Sequence, residues 1–391
     1  MKIKSLNISG IGGVRDLTLH LDPRMNLICG PNGIGKTTIL ECIAHLFTAY
    51  STKILRRNVN VENGVCKAKV NVDQEDHDVS ININDFAPEN GSQIRGLSKY
   101  AKYLLSLKVT RTFHYSPLPS VSKDTHKDSV AITNEAKTGV NISEVKNWFV
   151  NRYLYSAHPN ALTENQLANF ELAKHCFSIL QDGFSFSRVL ASSNEIMIRT
   201  PSGEIYYEYL SSGFKSCLSI IFGIIKDIEF RFEGDGLKAV DFDGIILIDE
   251  LELHLHPEWQ SKIAEIMINV FPQAQFIVST HSPHIIQSAL PNQIIALTSY
   301  NGDVVPRELS DGGYGFQGWS IEEVLVDVMG MTDTRTEAFH RHISDFGKWV
   351  SEENHGEASK TFKILDRMLH PANHLRKLLK LQLAGIQESN E

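Results

Sequence analysis

A glycine-rich run near the N-terminus constrains the fold more than any other part of this sequence. Residues 29–38 read Cys-Gly-Pro-Asn-Gly-Ile-Gly-Lys-Thr-Thr and contain the complete phosphate-binding pattern Gly-x-x-x-x-Gly-Lys-Thr. The apolar residues 25–29 before it are typical of a buried strand, and residues 38–47 after it are typical of a helix. This is the context in which the pattern binds phosphate, because loop N–H groups and the helix N-terminus surround the anion.

The loop assigns roles to its residues. Lys36 is expected to reach the β- and γ-phosphates of a nucleotide, and the Thr37 hydroxyl is expected to bind Mg²⁺. A chance glycine turn is the alternative, and the motifs further along the chain argue against it. The residues expected to contact the nucleotide are Gly30, Asn32, Gly33, Gly35, Lys36, Thr37 and Thr38.

Composition excludes several other classes of protein. The 391-residue chain is 42% hydrophobic and 21% charged, and no apolar run reaches the length of a membrane span. The N-terminus has no signal-peptide core and the five cysteines show no paired spacing, so we expect a cytoplasmic protein with reduced thiols and no membrane contact. Because the net charge is −8, any DNA contact would need a local patch or a partner protein.

A second motif, Gly-Ile-Ile-Leu-Ile-Asp-Glu, occupies residues 244–250. Its consecutive apolar residues are typical of a strand buried on both faces, and two carboxylates follow that strand. In a phosphate-loop ATPase, an Asp at this place holds Mg²⁺, and an adjacent Glu can orient and deprotonate the attacking water. We therefore expect Asp249 to be a metal ligand and Glu250 to be the general base.

Three shorter motifs complete the pattern. Leu-Ser-Ser-Gly, residues 210–213, directly precedes an apolar helix and could by itself be ordinary helix capping. Leu-His-Leu-His-Pro, residues 253–257, leads into another helix. Phe-Ile-Val-Ser-Thr-His-Ser-Pro, residues 276–283, is a second buried strand that ends in a polar tip containing His281.

The five motifs, in this order, resemble the heads of ABC-type ATPases, a superfamily that includes SMC proteins, RecF, RecN and the overcoming-lysogenization-defect nucleases. Within it, the chain resembles the PtuA-type ATPases of the Septu and retron anti-phage systems. The resemblance covers residues 1–295 and extends to 314–325. It implies an α/β fold with an ABC-type head at residues 1–50 and 200–300, a strand and helical insert at 51–199, and a helical C-terminal extension at 301–391.

The resemblance also implies a mechanism that uses ATP and Mg²⁺. Two subunits would form a head-to-tail dimer or a higher oligomer, in which Ser211 and Gly213 face the γ-phosphate bound by the other subunit. His281 resembles the switch histidine that contacts this phosphate. The ATPase would regulate a separate effector, an HNH-type DNA nuclease as in Septu, with DNA contacted directly or through that partner.

Two positions depart from the family's pattern. Residues 210–213, Leu-Ser-Ser-Gly, correspond to the family's signature motif. Ser212 replaces the usual first glycine of that motif, and Phe214 stands where a polar residue is more common. The glutamine that usually lies between the first strand pair and the helical insert has only two candidates, Gln74 and Gln93.

Several other functions are alternatives. The main one is a RecF-like DNA-repair ATPase that binds DNA directly. A transporter subunit is disfavoured by the large insert between Lys36 and Leu210, and a Toprim nuclease by the lack of an acidic cluster after His281. Arg335-x-x-x-x-His340 matches a ribonuclease spacing but is more typical of a solvated helix face. Four histidines could form a metal site: His254, His256, His281 and His284.

The remaining segments are predicted from local signals. Residues 117–138, rich in Pro, Ser, Lys and Asp, are predicted to be a loop. Two capping boxes, Ser320-x-x-Glu323 and Thr334-x-x-Glu337, predict helix starts in the C-terminal region. Apolar stripes on these helices predict a bundle whose helices pack on one another and on the head. The bundle could also dock a second protein or further copies of the chain. Deleting residues 332–391 is therefore expected to leave a folded head that binds ATP but loses its effector or its higher assembly.

Overall fold

The computed structural model describes residues 1–109, 117–142, 144–232, 234, 236–309 and 313–386. Within these ranges the chain forms two compact units, the first comprising Met1–Gly330 and the second beginning at Met331. None of the helices in the described ranges is both long and apolar enough to span a membrane.

The first unit contains all the strands that the structure describes. In chain order they are β1 (Lys2–Ile11), β2 (Val14–His20), β3 (Met25–Cys29), β4 (Ala49–Thr52), β5 (Gly64–Val72), β6 (Glu75–Ile83), β7 (Ser92–Arg95), β8 (Leu104–Leu107), β9 (Ser185–Val189), β10 (Ile196–Thr200), β11 (Gly203–Tyr206), β12 (Ile245–Ile248), β13 (Gln275–Ser279), β14 (Ile294–Tyr300) and β15 (Asp303–Pro306).

The described helices fall into both units. Those of the first unit are α1 (Lys36–Leu46), α2 (Ser129–Thr138), α3 (Val145–Ser156), α4 (Glu164–Leu180), α5 (Ser212–Arg231), α6 (Pro257–Val270), α7 (Pro283–Ser288) and α8 (Ile321–Glu323). Those of the second unit are α9 (Glu337–Ser351), α10 (His355–Met368) and α11 (Leu375–Ala384).

A six-stranded sheet in the order β15-β14-β3-β13-β12-β8 forms the centre of the first unit. Its strands are parallel except for β15, which pairs antiparallel with β14. Along β12, Ile246 and Ile248 belong to one hydrophobic core while Ile245 and Leu247 belong to another. Both faces of the sheet are therefore covered, which explains why β12 is uniformly apolar.

The two cores contain different elements. On one face, α1 and the antiparallel sheet β2-β1-β5-β6 share a core with the central strands. On the other face, the core includes α3, α4, α6 and nearly the whole length of α5. The phosphate-loop helix and the helix that follows the Leu-Ser-Ser-Gly motif therefore belong to different cores.

Buried ion pairs join α5 to helices of the 51–199 segment. The Arg231 guanidinium bonds to Glu135 of α2 at 2.9 Å, and the Arg152 guanidinium of α3 bonds to Glu229 at 2.7 Å. Breaking a buried pair by removing one partner costs about 3–5 kcal/mol, because the other charge is left without compensation. The C-terminal half of α5 is thus held firmly to this segment.

The structure confirms the predicted α/β class and differs from several local predictions. The strand predicted at residues 25–29 has the predicted bounds. Residues 104–107, from the predicted insert, form an edge strand of the central sheet. The predicted loop at 117–138 was wrong in its second half, where Asp128 caps α2.

The C-terminal region also differs in detail. The first unit extends to Gly330, beyond the predicted boundary at 301, because β15 pairs with β14 and Val324 and Val328 lie in its core. The capping box at Ser320 is confirmed. The one predicted at Thr334 was wrong, because Thr336 is the residue whose side chain caps α9.

Candidate functional site

Three of the motifs meet at one edge of the central sheet. The phosphate loop follows β3, His281 follows β13, and Asp249 and Glu250 follow β12. These strands are neighbours and parallel, in the order β3-β13-β12, so their carboxyl ends lie side by side. This edge is where open α/β sheets bind ligands.

The backbone of the phosphate loop requires glycine at defined places. Gly30 has φ +141°, and a Cβ there would lie 2.5 Å from the carbonyl oxygen of Leu297. Gly35, with φ +104°, is the N-cap residue of α1 and supplies no side-chain cap. The first N–H groups of α1 are therefore left for an anionic ligand, as in other phosphate-binding helix ends.

Lys36 lies folded into this loop. Its ammonium group donates hydrogen bonds to the carbonyl oxygens of Gly30 at 2.8 Å and Pro31 at 3.0 Å. Burial lowers the pKa of Lys36, while the nearby carboxylates of Glu252 and Asp249 act in the opposite direction. Lys36 thus places a positive charge inside the loop that would surround the phosphates.

The two predicted metal ligands lie together. The Thr37 hydroxyl donates to the Asp249 carboxylate, with 3.1 Å between Oγ1 and Oδ2, and the Ser279 hydroxyl donates to Oδ1 of the same carboxylate. Hydroxyl and carboxylate oxygens are the ligands that Mg²⁺ prefers, usually with several waters retained. The donor set therefore fits Mg²⁺. Over the described ranges, no group of three or more His, Cys, Asp or Glu side chains is arranged to hold a metal, so the histidine-site alternative gains no support.

Glu250 adopts an unusual backbone conformation. Its φ is +51°, in the left-handed region that costs a residue with a side chain roughly 1–2 kcal/mol. Ser279 stabilises this conformation, because its hydroxyl accepts the Glu250 N–H at 2.8 Å and its carbonyl accepts the Leu251 N–H at 3.1 Å. Strain of this kind, held by surrounding contacts, is typical of functional sites.

Sequence reasoning missed two residues that hold these loops together. Ser279 bonds to both Asp249 and Glu250, and Glu252 accepts hydrogen bonds from Thr280 and His281. In the sequence, the only signal for Glu252 was its place two residues after Glu250. That position does not distinguish a residue with a role in the site from an ordinary exposed acidic residue of the loop.

The Leu-Ser-Ser-Gly motif forms the start of α5. Ser211 is exposed and caps the helix by accepting the Phe214 N–H at 3.3 Å. A Cβ at Gly213 would lie 2.8 Å from Cδ1 of Trp259. Phe214 is buried, and its ring contacts Trp259 edge-on with 5.3 Å between centroids, which explains why an apolar residue stands there. Ser211 and Gly213 therefore lie on a different element from the three loops.

Neither glutamine candidate follows a strand of the central sheet. Gln74 lies in the turn between β5 and β6, and Gln93 lies in β7. Directly after β8, Lys108 forms an ion pair with Glu41 of α1 at 2.6 Å.

Comparisons with known proteins fit this geometry. A family model described as "AAA domain, putative AbiEii toxin, Type IV TA system" matches residues 25–287. The Septu protein PtuA of Bacillus thuringiensis is 45% identical over 386 residues, which cover 98% of each chain. The Retron Vc95 probable ATPase of Vibrio cholerae serotype O1 biovar El Tor is 53% identical over 91 residues, 23% of this chain and 18% of that one. A crystal structure of the SmcHead bound to the C-winged helix domain of ScpA has a TM-score of 0.50 at 16% identity, covering 79% of this chain and 98% of that one, and is similar in fold alone.

Proposed function

We propose, from the premise that this chain belongs to the PtuA family of Septu ATPases, that it dimerises on ATP and regulates a separate effector nuclease in anti-phage defence. The observation that carries the ATPase mechanism is the meeting of three loops at one sheet edge, with Thr37 and Asp249 3.1 Å apart. The PtuA relatives carry the assignment to defence.

The phosphate loop would bind the triphosphate through its N–H groups and through Lys36. The ammonium group of Lys36 would exchange its two carbonyl partners in the loop for phosphate oxygens. Thr37 and Asp249 would hold Mg²⁺, which neutralises phosphate charge when it is bound with ATP.

Hydrolysis would depend on the loops after β12 and β13. Glu250 is the residue we assign to orient water and accept its proton, from a backbone held by Ser279. His281 would contact the γ-phosphate. Two adjacent carboxylates thereby take different roles, because Asp249 is buried beside Thr37 whereas Glu250 lies further out along the loop.

The position of the Leu-Ser-Ser-Gly motif supports the proposed dimer. Ser211 is exposed at the start of α5, and Gly213 behind it is packed against Trp259 of its own subunit. An exposed helix start of this kind can present N–H groups and a hydroxyl to the nucleotide of a second subunit.

Replacing Ser211 tests this arrangement. Ser211→Arg places bulk and charge at the expected interface, so it should abolish the ATP-dependent increase in mass that we expect for Glu250→Gln protein. Light scattering with and without ATP and Mg²⁺, on that background, measures the effect. Ser80→Arg, on the exposed face of β6, is the control for a new surface arginine. A normal ATP-dependent dimer of the Ser211→Arg/Glu250→Gln protein, together with normal ATP hydrolysis by the Ser211→Arg single variant, would rule out a dimer formed through the Leu-Ser-Ser-Gly motif.

The second unit is our candidate for the effector-binding part. Its helices bury Phe346, Leu365 and Leu379 in a core of their own. Apolar side chains also remain exposed on α10 and α11: Ile364, Met368, Leu378 and Leu381. Exposed apolar groups at helical spacing are the type of surface that binds a partner protein.

A truncation after Gly330 tests this assignment. Because the first unit is compact by itself, the truncated chain should fold and bind ATP but should no longer co-purify with an HNH-type nuclease encoded beside it. Co-expression with a tagged nuclease, using the full chain as the control, measures retention. Full retention of the nuclease by the truncated chain would move the docking surface to the segment between residues 50 and 200.

A further inference from the structure

Glu252 links the loop after β12 to the loop that carries His281. The Thr280 hydroxyl donates to its Oε2 at 2.7 Å, and the His281 N–H donates to its Oε1 at 2.6 Å. Both oxygens of one carboxylate therefore accept from two consecutive residues. Hydrogen bonds to an ionised carboxylate are about twice as strong as neutral ones, so this bridge defines the position of the His281 backbone.

The residues on either side of His281 have further contacts that hold them in place. Thr280 and Ser282 are buried, and the Thr280 hydroxyl also accepts the Ser282 N–H at 3.0 Å. The Ser282 hydroxyl in turn donates to the amide oxygen of Gln260 at 2.6 Å. His281 itself is only half-buried. The turn is thus anchored at its flanks, and Glu252 is the group that holds its centre.

Glu252 also acts electrostatically on the phosphate loop. Its negative charge contributes to the electrostatic environment of Lys36, together with Asp249 and Glu250. The same Glu252 carboxylate accepts hydrogen bonds from Thr280 and His281. Glu252 therefore acts electrostatically on Lys36 and is hydrogen-bonded to the turn that carries His281.

We propose that Glu252 is a positioning residue for ATP hydrolysis, whose carboxylate sets the His281 turn so that the imidazole meets the γ-phosphate. The inference rests on the proposed role of His281. Because Thr280 and His281 engage both of its oxygens, Glu252 suits a positioning role, and proton transfer from water falls to Glu250.

Substitutions of Glu252 are expected to change kcat and to leave ATP binding unchanged. Glu252→Ala should lower kcat about ten- to hundredfold, since a misplaced reacting group costs that much, without weakening ATP binding. Glu252→Gln should recover most of the rate, because its amide oxygen can accept the His281 N–H and its NH₂ group can donate to the Thr280 oxygen. A purely structural role would instead lower the melting temperature and reduce kcat and ATP affinity together.

A double-mutant cycle separates this inference from the proposal beneath it. His281→Ala alone should lower kcat, and adding Glu252→Ala should lower it less than about twofold further, because the two residues act as one unit. Wild-type turnover in His281→Ala protein would overturn the role of His281. Slow His281→Ala protein with normal Glu252→Ala turnover, or with fully multiplicative effects, would overturn the role of Glu252 alone.

A second variant covers the case in which Glu252→Ala does not fold. Thr280→Val keeps the volume of the side chain and removes one of the two donors to Glu252. We expect a smaller loss of kcat that again disappears in the His281→Ala background. Unchanged kcat in Thr280→Val protein, or a loss of kcat that persists in full when Thr280→Val is added to His281→Ala, would contradict the inference.

Discussion

Glu250→Gln protein is expected to bind ATP as tightly as the wild type and to hydrolyse it about a hundredfold more slowly, or slower still. The substitution keeps the size of the side chain and removes the proton acceptor beside Asp249. Because the Glu250 N–H bond to Ser279 belongs to the backbone, the loop geometry should survive. Equilibrium binding of a fluorescent ATP analogue and phosphate release measure the two quantities.

A matched control exists on α6. Glu265 is exposed, so Glu265→Gln makes the same chemical change away from the three loops and should leave turnover unchanged. Wild-type turnover in purified Glu250→Gln protein, free of contaminating ATPases, would remove Glu250 as the general base.

Lys36→Ala should affect binding itself. Hydrogen bonds between charged groups contribute about 1.5–3 kcal/mol, so losing the ammonium group should weaken ATP binding roughly ten- to hundredfold. The fold should tolerate the change, because the hydrogen bonds of the buried amine to the described residues go to loop carbonyls and its burial disfavours its charge. Calorimetric titration with ATP and Mg²⁺ gives the affinity, and a melting curve gives the stability.

Lys53→Ala removes a lysine of the same type from an exposed position and is the control for net charge. ATP affinity within twofold of the wild type in Lys36→Ala protein would show that the loop binds phosphate through its backbone alone.

Local sequence signals predicted the parts of the site that are local in the chain. β3, the loop and α1 are contiguous, and β12 carries its own signature of consecutive buried residues, so both could be found by pattern. The edge strand β8 could not be found by pattern. Its four residues belong to the central sheet because they pair with β12, which lies far along the chain. Glu252 was missed for a similar reason, since its partners follow β13.

Helix starts show a second limit of sequence reasoning. Two threonines near residue 335 are both plausible caps, and the choice of Thr336 places Phe339 in the second unit's core. Asp128 is a residue type that favours a helix N-cap, and it caps α2. It was missed because the Pro-, Ser- and Lys-rich residues before it are typical of a loop.

Packing within a single subunit already requires glycine at position 213. Its missing side chain leaves room for the indole of Trp259, so the folding of one subunit already selects glycine there. Ser211, exposed two residues earlier, faces no such requirement beyond capping α5. A lineage that ceased to dimerise would therefore retain Gly213 for as long as Trp259 stayed in place, while position 211 could drift among Ser, Asn and Asp. Conservation of serine at position 211 would therefore report the proposed dimer, whereas conservation of glycine at position 213 reports the packing of a single subunit.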